Sequence, residues 1–339
     1  PKNINHITFD SPNRLRLAYD EMLAHQLTLA IARENYRKSK GIKNIGNKSL
    51  SKKVMEFIPF ELTNAQKRVI EEIRNDMSEP FRMNRLLQGD VGSGKTLIAF
   101  LCMVTAIEAG GQAVIMAPTE ILTKQHEDTL KPLAEKAGIV LESLSGRDKG
   151  KERKSKIEAI ATGKIQIIVG THAVFQESIK YNDLRLAIID EQHRFGVRQR
   201  MDLGNKGDAV DILIMTATPI PRSLALTNYG DMELSEVDEK PIGRKPINTV
   251  MVSSSRILEV IDRLKVAIET GNQIYWVCPL VEESEFLELT SAGDRANNLS
   301  KVLGKNNIGL VHGKMSGEEK DRVMSDFVDN KIKILWATT

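Results

Sequence analysis

Cysteine is almost missing from this chain: Cys102 and Cys278 are the only two in 339 residues. They are far apart and neither has a second thiol at metal-ligand spacing, which excludes a disulfide framework and a cysteine-based metal centre. Both sit in apolar neighbourhoods and read as buried free thiols, in keeping with a reducing, cytoplasmic setting. Long hydrophobic runs are missing too. No stretch approaches the roughly eighteen apolar residues of a membrane span, and the N-terminus has no signal-peptide pattern. Charge of one sign is also scarce. The formal net charge is +3, so bulk charge says little about nucleic acid and the local distribution must carry that argument. What is present is ordinary for a globular chain: 41% hydrophobic and 27% charged residues, enough for two or three domains.

The strongest local signal is GDVGSGKT, Gly89 to Thr96. It follows the apolar run Arg85-Leu86-Leu87 and precedes Leu97 to Leu101, which reads as strand, glycine-rich turn and helix. The spacing G-x-x-x-x-G-K-T is that of a phosphate-binding loop. Gly89, Gly92 and Gly94 let the N–H groups of Asp90, Val91 and Ser93 curl around phosphate oxygens. The helix starting near Lys95 directs its positive end at the same oxygens. The Lys95 ammonium reaches the β- and γ-phosphates, and the Thr96 hydroxyl suits Mg²⁺. A nucleoside triphosphate is therefore the expected ligand.

Taken in order, residues 1–59 read as an appendage. Ser11 and Pro12 start a helix, and Leu15, Ala18, Met22, Leu23, Leu27, Ala30 and Ile31 recur at helical spacing to about Lys38. This stripe needs a partner surface. Ser39 to Lys53 is rich in lysine and glycine and reads as a flexible basic loop, solvated or touching a phosphate backbone. From Phe60 the pattern becomes α/β. Thr63 caps a helix over 64–76. Strands are expected at 85–87, 113–117, 140–144, 165–169, 186–189 and 212–215, alternating with helices to Ala109, over 120–137 and to about Ala161. Near-continuous Ile, Val and Leu strands mean a parallel sheet covered on both faces, with ligand groups at the strands' carboxyl ends. Asp238 to Pro246 reads as a linker. The expected division is a first lobe over 60–240 and a second, partial lobe over 241–339. In the second lobe, strands are expected at 249–252, 273–278, 308–311 and 332–336, with helices over 257–269 and 317–328.

Leu186 to Glu191, LAIIDE, supplies the second half of a triphosphatase site. Its apolar strand delivers Asp190 to the sheet edge, where a carboxylate holds Mg²⁺, and Glu191 is placed to orient or deprotonate an attacking water. A kinase can use such an acid as well. Asp190-Glu191-Gln192-His193 and Thr216-Ala217-Thr218-Pro219 argue against that reading.

With these segments in order, the chain resembles superfamily 2 helicases and translocases. The matching segments are Phe60–Gln66, Gly89–Thr96, Ala117–Gln125, Gly170–Ala173, Asp190–His193 and Thr216–Pro219. The strings DEQHRFGVRQR, TATPIPRSLALTNYGD and GRKPINT resemble the RecG family of helicases that remodel branched DNA. The likeness runs from about residue 11 to 339. It implies a RecA-like P-loop fold in two tandem lobes, with ATP and Mg²⁺ as cofactors. It also implies a branched or forked DNA partner read without regard to sequence, in repair and recombination. By resemblance, Gln66 reads adenine, and Phe60 packs on the base, although Phe57 is equally close. His193 senses the γ-phosphate. Thr119, Glu120, Gln125, Thr171 and His172 lie near DNA phosphates, with helix capping and loop polarity as the rival reading for each. Thr216 and Thr218 couple nucleotide state to DNA grip, and Arg222 extends toward DNA. The family's second lobe continues through Tyr275–Glu283, His312-Gly313-Lys314 and an opening at Ala337-Thr338-Thr339. The family's final arginine-finger motif and its N-terminal wedge are not in the sequence. The expectation is thus an internal fragment, monomeric, that binds nucleotide with little turnover and does not unwind DNA. Two alternatives stand: a translocase of the transcription-repair coupling type, whose Asp-Glu-x-x string and upstream domain differ, and a nucleotide-dependent DNA-binding scaffold. The intact Lys95, Asp190 and Glu191 argue against the scaffold.

Overall fold

The structure, a computed structural model, describes residues 11–37, 40–146, 148, 150–190, 209–218, 232–241, 243, 247–278, 307–313 and 315–338. They fall into two units, residues 1–245 and 246–339. The first is built on seven parallel strands in the order β3-β4-β2-β5-β6-β1-β7. These are β1 (Asn84–Gly89), β2 (Gln112–Met116), β3 (Leu141–Leu144), β4 (Ile167–Gly170), β5 (Leu184–Asp190), β6 (Asp211–Thr216) and β7 (Glu233–Val237).

The strands are apolar on both faces because both faces are covered. Leu87, Ile115, Ile167, Ile188 and Leu213 point to one face. There they meet α2 (Ser49–Phe57), α3 (Asn64–Ser78), α4 (Lys95–Glu108) and α5 (Glu120–Ala137). Their neighbours Leu86, Val114, Ile168, Ile189 and Ile214 point to the other, with Ile160 of α6 (Gly150–Ala161). Helix α4 is buried along nearly its whole length, and burial pushes the Cys102 thiol up to about 12, which leaves it inert. Cys278 is only partly covered. Helix starts follow the sequence: Thr63 forms a reciprocal capping box with Gln66, and Gly138 (φ 77°) closes α5. At the foot of β2, Gln112 donates to the Ile160 and Ile165 carbonyls and accepts from the Asn182 and Asp183 amides. Its carboxamide thus ties three connections together.

Three expectations are corrected, and one strand is added to those expected. First, Ser49–Phe57 is a helix, not the end of a basic loop, and Val54 within it is fully buried. Its lysines occupy one exposed side and hide a short apolar face. Second, β7 is an edge strand, and ELSEV alternates too weakly to announce one. Third, Thr249–Val252 has no ladder partner among the described residues, and Met251 stands fully exposed. β-propensity without a neighbour does not make a strand. Fourth, helix α1 (Pro12–Arg37) begins where expected, with the Ser11 hydroxyl accepting from Arg14 N, yet Leu15, Met22, Leu23, Leu27 and Ile31 are all exposed. The expected packing of its stripe is not found among the described residues. None of the described helices is long and apolar enough to cross a membrane.

The second unit holds a three-stranded parallel sheet in the order β8-β10-β9. Its strands are β8 (Ile274–Cys278), β9 (Ile308–Val311) and β10 (Ile334–Thr338), with helices α7 (Ile257–Glu269) and α8 (Gly317–Val328). Trp276 and Trp336 stack at 5.1 Å across β8 and β10, and Ser316 caps α8 in a capping box with Glu319.

Residues 40–48 are held down by a buried carboxylate at the amino end of β6. Asp211 accepts from the Asn44 amide at 2.8 Å and from Met83 N at 2.7 Å. Burial outweighs both donors and pushes its carboxyl up to about 7. An unfolded aspartate titrates near 4, so between about pH 4 and 7 the folded chain binds more protons than the unfolded one. Its contribution to stability is complete at the acid end and is lost as pH rises through about 7. The difference in unfolding free energy between the parent and Asp211→Asn should therefore shrink by on the order of 4 kcal/mol from pH 4 to pH 8. Urea unfolding of both forms across that range measures it, and a pH-independent difference would contradict the assignment.

Candidate nucleotide site and DNA-facing edge

Because all seven strands are parallel, their carboxyl ends share one edge. Register fixes the order along it. Gln88 of β1 pairs with Thr216 of β6, and Asp190 of β5 pairs with Met215 of β6. The end of β1 and the carboxylate of β5 thus flank Thr216, which is buried between them. On the far side of β5 come β2, ending at Met116, and β4, ending at Gly170. Thr119 and Glu120 follow β2, and Thr171 and His172 follow β4.

The loop from Gly89 to Thr96 has the backbone its glycines require. Gly92 and Gly94 lie at φ 75° and 91°, where side chains are strained. A Cβ on Gly89 would stand 2.7 Å from Ser93 Oγ, and one on Gly94 would collide with the Gln66 amide. Lys95 is nine-tenths buried, and its ammonium donates to Gly89 O at 2.7 Å and Asp90 O at 3.0 Å. Thr96 is half-buried at the first turn of α4, while Asp90, Val91 and Gly92 are exposed. The Asp90 carboxylate accepts from Val91 N and pairs with Lys240 at 3.6 Å, an exposed pair of little weight.

The residues of this loop suit a triphosphate with a divalent ion. The buried Ser93 hydroxyl has no hydrogen-bond partner among the described residues, a polar atom within the loop that a phosphate oxygen would satisfy. No three His, Cys, Asp or Glu side chains come together among the described residues. An ion here would draw on Thr96, Asp190 and the ligand's own oxygens, as Mg²⁺ beside phosphates does.

Gln66 is placed differently from a simple base reader. It is 2% exposed; Nε2 donates to Ser93 O at 2.7 Å and Oε1 accepts from Thr63 N at 3.0 Å. Its amide braces the loop against α3. Between the two aromatic candidates, Phe57 lies under the Lys136 ammonium at 5.0 Å, and Phe60 remains exposed. Thr119 caps α5, its hydroxyl accepting from Leu122 N at 3.3 Å. Capping uses the acceptor side of the hydroxyl and leaves its O–H to donate, so capping and phosphate contact are compatible. Gln125 and His172 are exposed, Thr171 is buried, and Thr218 is exposed with its amide on Thr216 Oγ1. Glu191, His193 and Arg222 lie outside the described residues, as do Gln192, Pro219, Lys314 and Thr339.

One site residue has no counterpart in the sequence reading. His126, in the middle of α5, sets Nε2 2.8 Å from Asp190 Oδ2, with both side chains largely buried. The partners are 64 residues apart. Only the burial of position 126 within the α5 stripe could have hinted at a partner.

The geometry has clear relatives. Residues 63–227 match the DEAD/DEAH box helicase family model. Over 328 residues the chain is 46% identical to an ATP-dependent DNA helicase RecG of Bacillus subtilis, covering 96% of this chain and 48% of that protein. It is 46% identical to the RecG of Escherichia coli K12, with 98% and 49% covered. A solved structure of RecG bound to a three-way DNA junction superposes with a TM-score of 0.79 at 42% identity, covering 96% of this chain and 43% of that one. The chain belongs to the RecG family of helicases. It spans about half the length of the curated relatives it matches. The family uses ATP, and the seven-stranded parallel sheet with helices on both faces is its RecA-like fold.

Gly94 offers a test of the loop geometry. Gly94→Ala meets both a left-handed φ and the Gln66 amide, and should cost roughly 1–3 kcal/mol of stability along with nucleotide affinity. Adding Gln66→Ala removes the collision but not the φ strain. Because Gln66→Ala also removes the cap and the brace, the comparison is between backgrounds: Gly94→Ala should lower the thermal midpoint less in the Gln66→Ala background than in the parent, and an equal loss in both would show that the two residues are not in contact.

Proposed function

We propose that this chain carries the ATP-driven motor of a RecG-type helicase that acts on branched DNA, with the first unit as the nucleotide-binding lobe and residues 246–339 as part of the second. The observation that carries this is the order of strand ends: Gly89 and Asp190 on either side of Thr216, with Thr119 and Thr171 next along the same edge. A junction-bound relative supplies the substrate class.

In this reading the loop amides, Lys95 and the start of α4 hold the β- and γ-phosphates of ATP. Thr96 and Asp190 hold Mg²⁺, which when bound neutralises charge on the transferring phosphoryl group. Glu191 activates the attacking water and His193 responds to the γ-phosphate. Thr216, with Thr218 beyond it, lies between the two phosphate-handling strands and passes their state to the DNA side. Thr119, Gln125, Thr171, His172 and Arg222 contact phosphates, which position a duplex without reading its sequence. The setting is the bacterial cytoplasm, where DNA is the partner and the working form is a monomer.

Titration of the chain with a fluorescent ATP analogue and Mg²⁺ tests the first half. Saturable binding is expected, with a loss of at least about tenfold in Lys95→Ala, since a charge-assisted phosphate contact is worth about 1.5–3 kcal/mol. ATP hydrolysis by the full-length gene product tests the second half. Three-way-junction DNA should stimulate it more than linear duplex or single strands of equal nucleotide content, and the stimulation should fall steeply with salt. Equal stimulation by all three would remove the branched-DNA assignment.

A further inference from the structure

Helix α5 buries a stripe of Thr123, His126, Leu130, Ala134 and Ala137. The spacing is that of a core-facing helix side. Two polar residues interrupt it. Thr123 satisfies its hydroxyl on the Thr119 carbonyl of the preceding turn, which needs no tertiary partner. His126 has no such local bond. It reaches across to β5 and sets Nε2 2.8 Å from Asp190 Oδ2. A carboxylate only accepts, so Nε2 carries the proton and donates.

The consequence falls on Asp190. Its side chain is 12% exposed and that of His126 is 7%. A nearly buried carboxylate can turn about χ1 and χ2 unless something fixes it. Among the described residues His126 is its only side-chain hydrogen-bond partner. The bond takes Oδ2 and sets the plane of the carboxylate, which leaves Oδ1 with its lone pairs. Losing a residue that holds a metal ligand in this way typically costs about ten- to a hundredfold in metal affinity or activity.

We infer that His126 is a positioning residue for the Mg²⁺ carboxylate: by holding Oδ2 of Asp190 from helix α5, it presents the remaining oxygen to the ion that accompanies ATP. This rests on the reading of Asp190 as an ATP-site ligand. It adds a helix to that site, because α5 is capped by Thr119, which the proposed function places among the DNA-phosphate contacts. A shift of α5 along or about its axis would move the donor on Asp190.

The test is the Mg²⁺ dependence of nucleotide binding, measured with the full chain and N-methylanthraniloyl-ATP by fluorescence, without any need for turnover. His126→Leu keeps the bulk and removes the donor; His126→Gln restores an N–H at similar reach. In excess EDTA the parent and both variants should bind the nucleotide equally, which also reports that they are folded. With Mg²⁺ added, His126→Leu should need about tenfold more ion for half-maximal binding, and His126→Gln should return to within about threefold of the parent. An unchanged Mg²⁺ midpoint in His126→Leu would overturn the inference. So would an equal loss of binding with and without Mg²⁺, which marks a packing residue, or a His126→Gln variant no better than Leu. If the parent itself binds no nucleotide with Mg²⁺, the ATP-site reading falls first and the inference with it.

Discussion

A strand in a parallel sheet has one carboxyl end, and every such end lies on the same edge. That constraint organises the first unit. The ends of β1 and β5 are not neighbours, because β6 runs between them. With strands about 4.8 Å apart, the ends of β1 and β5 lie about 10 Å from one another. That gap suits a phosphate chain with its metal ion better than a direct side-chain contact. Thr216 fills the middle position by register, not by its own chemistry. Any group at the end of β6 stands between the glycine-rich loop and Asp190.

The same edge explains why several residues have two jobs. Gln66 closes a capping box and braces the Ser93 carbonyl, so the start of α3 and the phosphate loop share one amide. Thr119 caps α5 and keeps a donor for an outside oxygen. His126 belongs to the core stripe of α5 and bonds to Asp190. Each of these residues couples the position of a helix to the state of a loop. Thr119 can do this because a short hydroxyl side chain bonds the nearby backbone and still keeps a donor.

How much of this was legible in the sequence follows from which signals are local. The phosphate loop was, because its glycines, Lys95 and Thr96 are contiguous and the constraint is on backbone shape. The central strands were, because burial on both faces writes Ile, Val and Leu without interruption, as in Leu186–Ile189. Helix α5 was legible to the residue, since Thr119 and Gly138 punctuate it. Helix α2 was not: its nine residues carry lysines outward, and only tertiary burial of Val54 justifies it. Strand β7 pairs on one side only, so half its side chains stay polar. Thr249–Val252 shows the reverse error, with strand-like residues and no neighbour. The His126–Asp190 contact depends on two segments 64 residues apart, and no local pattern encodes that distance.

The division of labour along each strand is visible in β6. Its first residue, Asp211, holds the 40–48 segment and the start of β1 through Asn44 and Met83. Its last, Thr216, lies at the nucleotide edge. The four residues between them, Ile212, Leu213, Ile214 and Met215, are buried, and the two ends stand about 17 Å apart. Groups that fasten the unit therefore sit at the amino ends of the strands, together with Gln112 at the foot of β2. Groups that meet ligands sit at the carboxyl ends, where loops can rearrange without opening the core. The proposed motor would need that separation, because elements that change with nucleotide must move against something that does not. Here the fixed part is the sheet, fastened below by buried polar contacts. Above it lie the loops and helix starts, and α5 is joined to the sheet by its apolar stripe and by the hydrogen bond from His126 to Asp190.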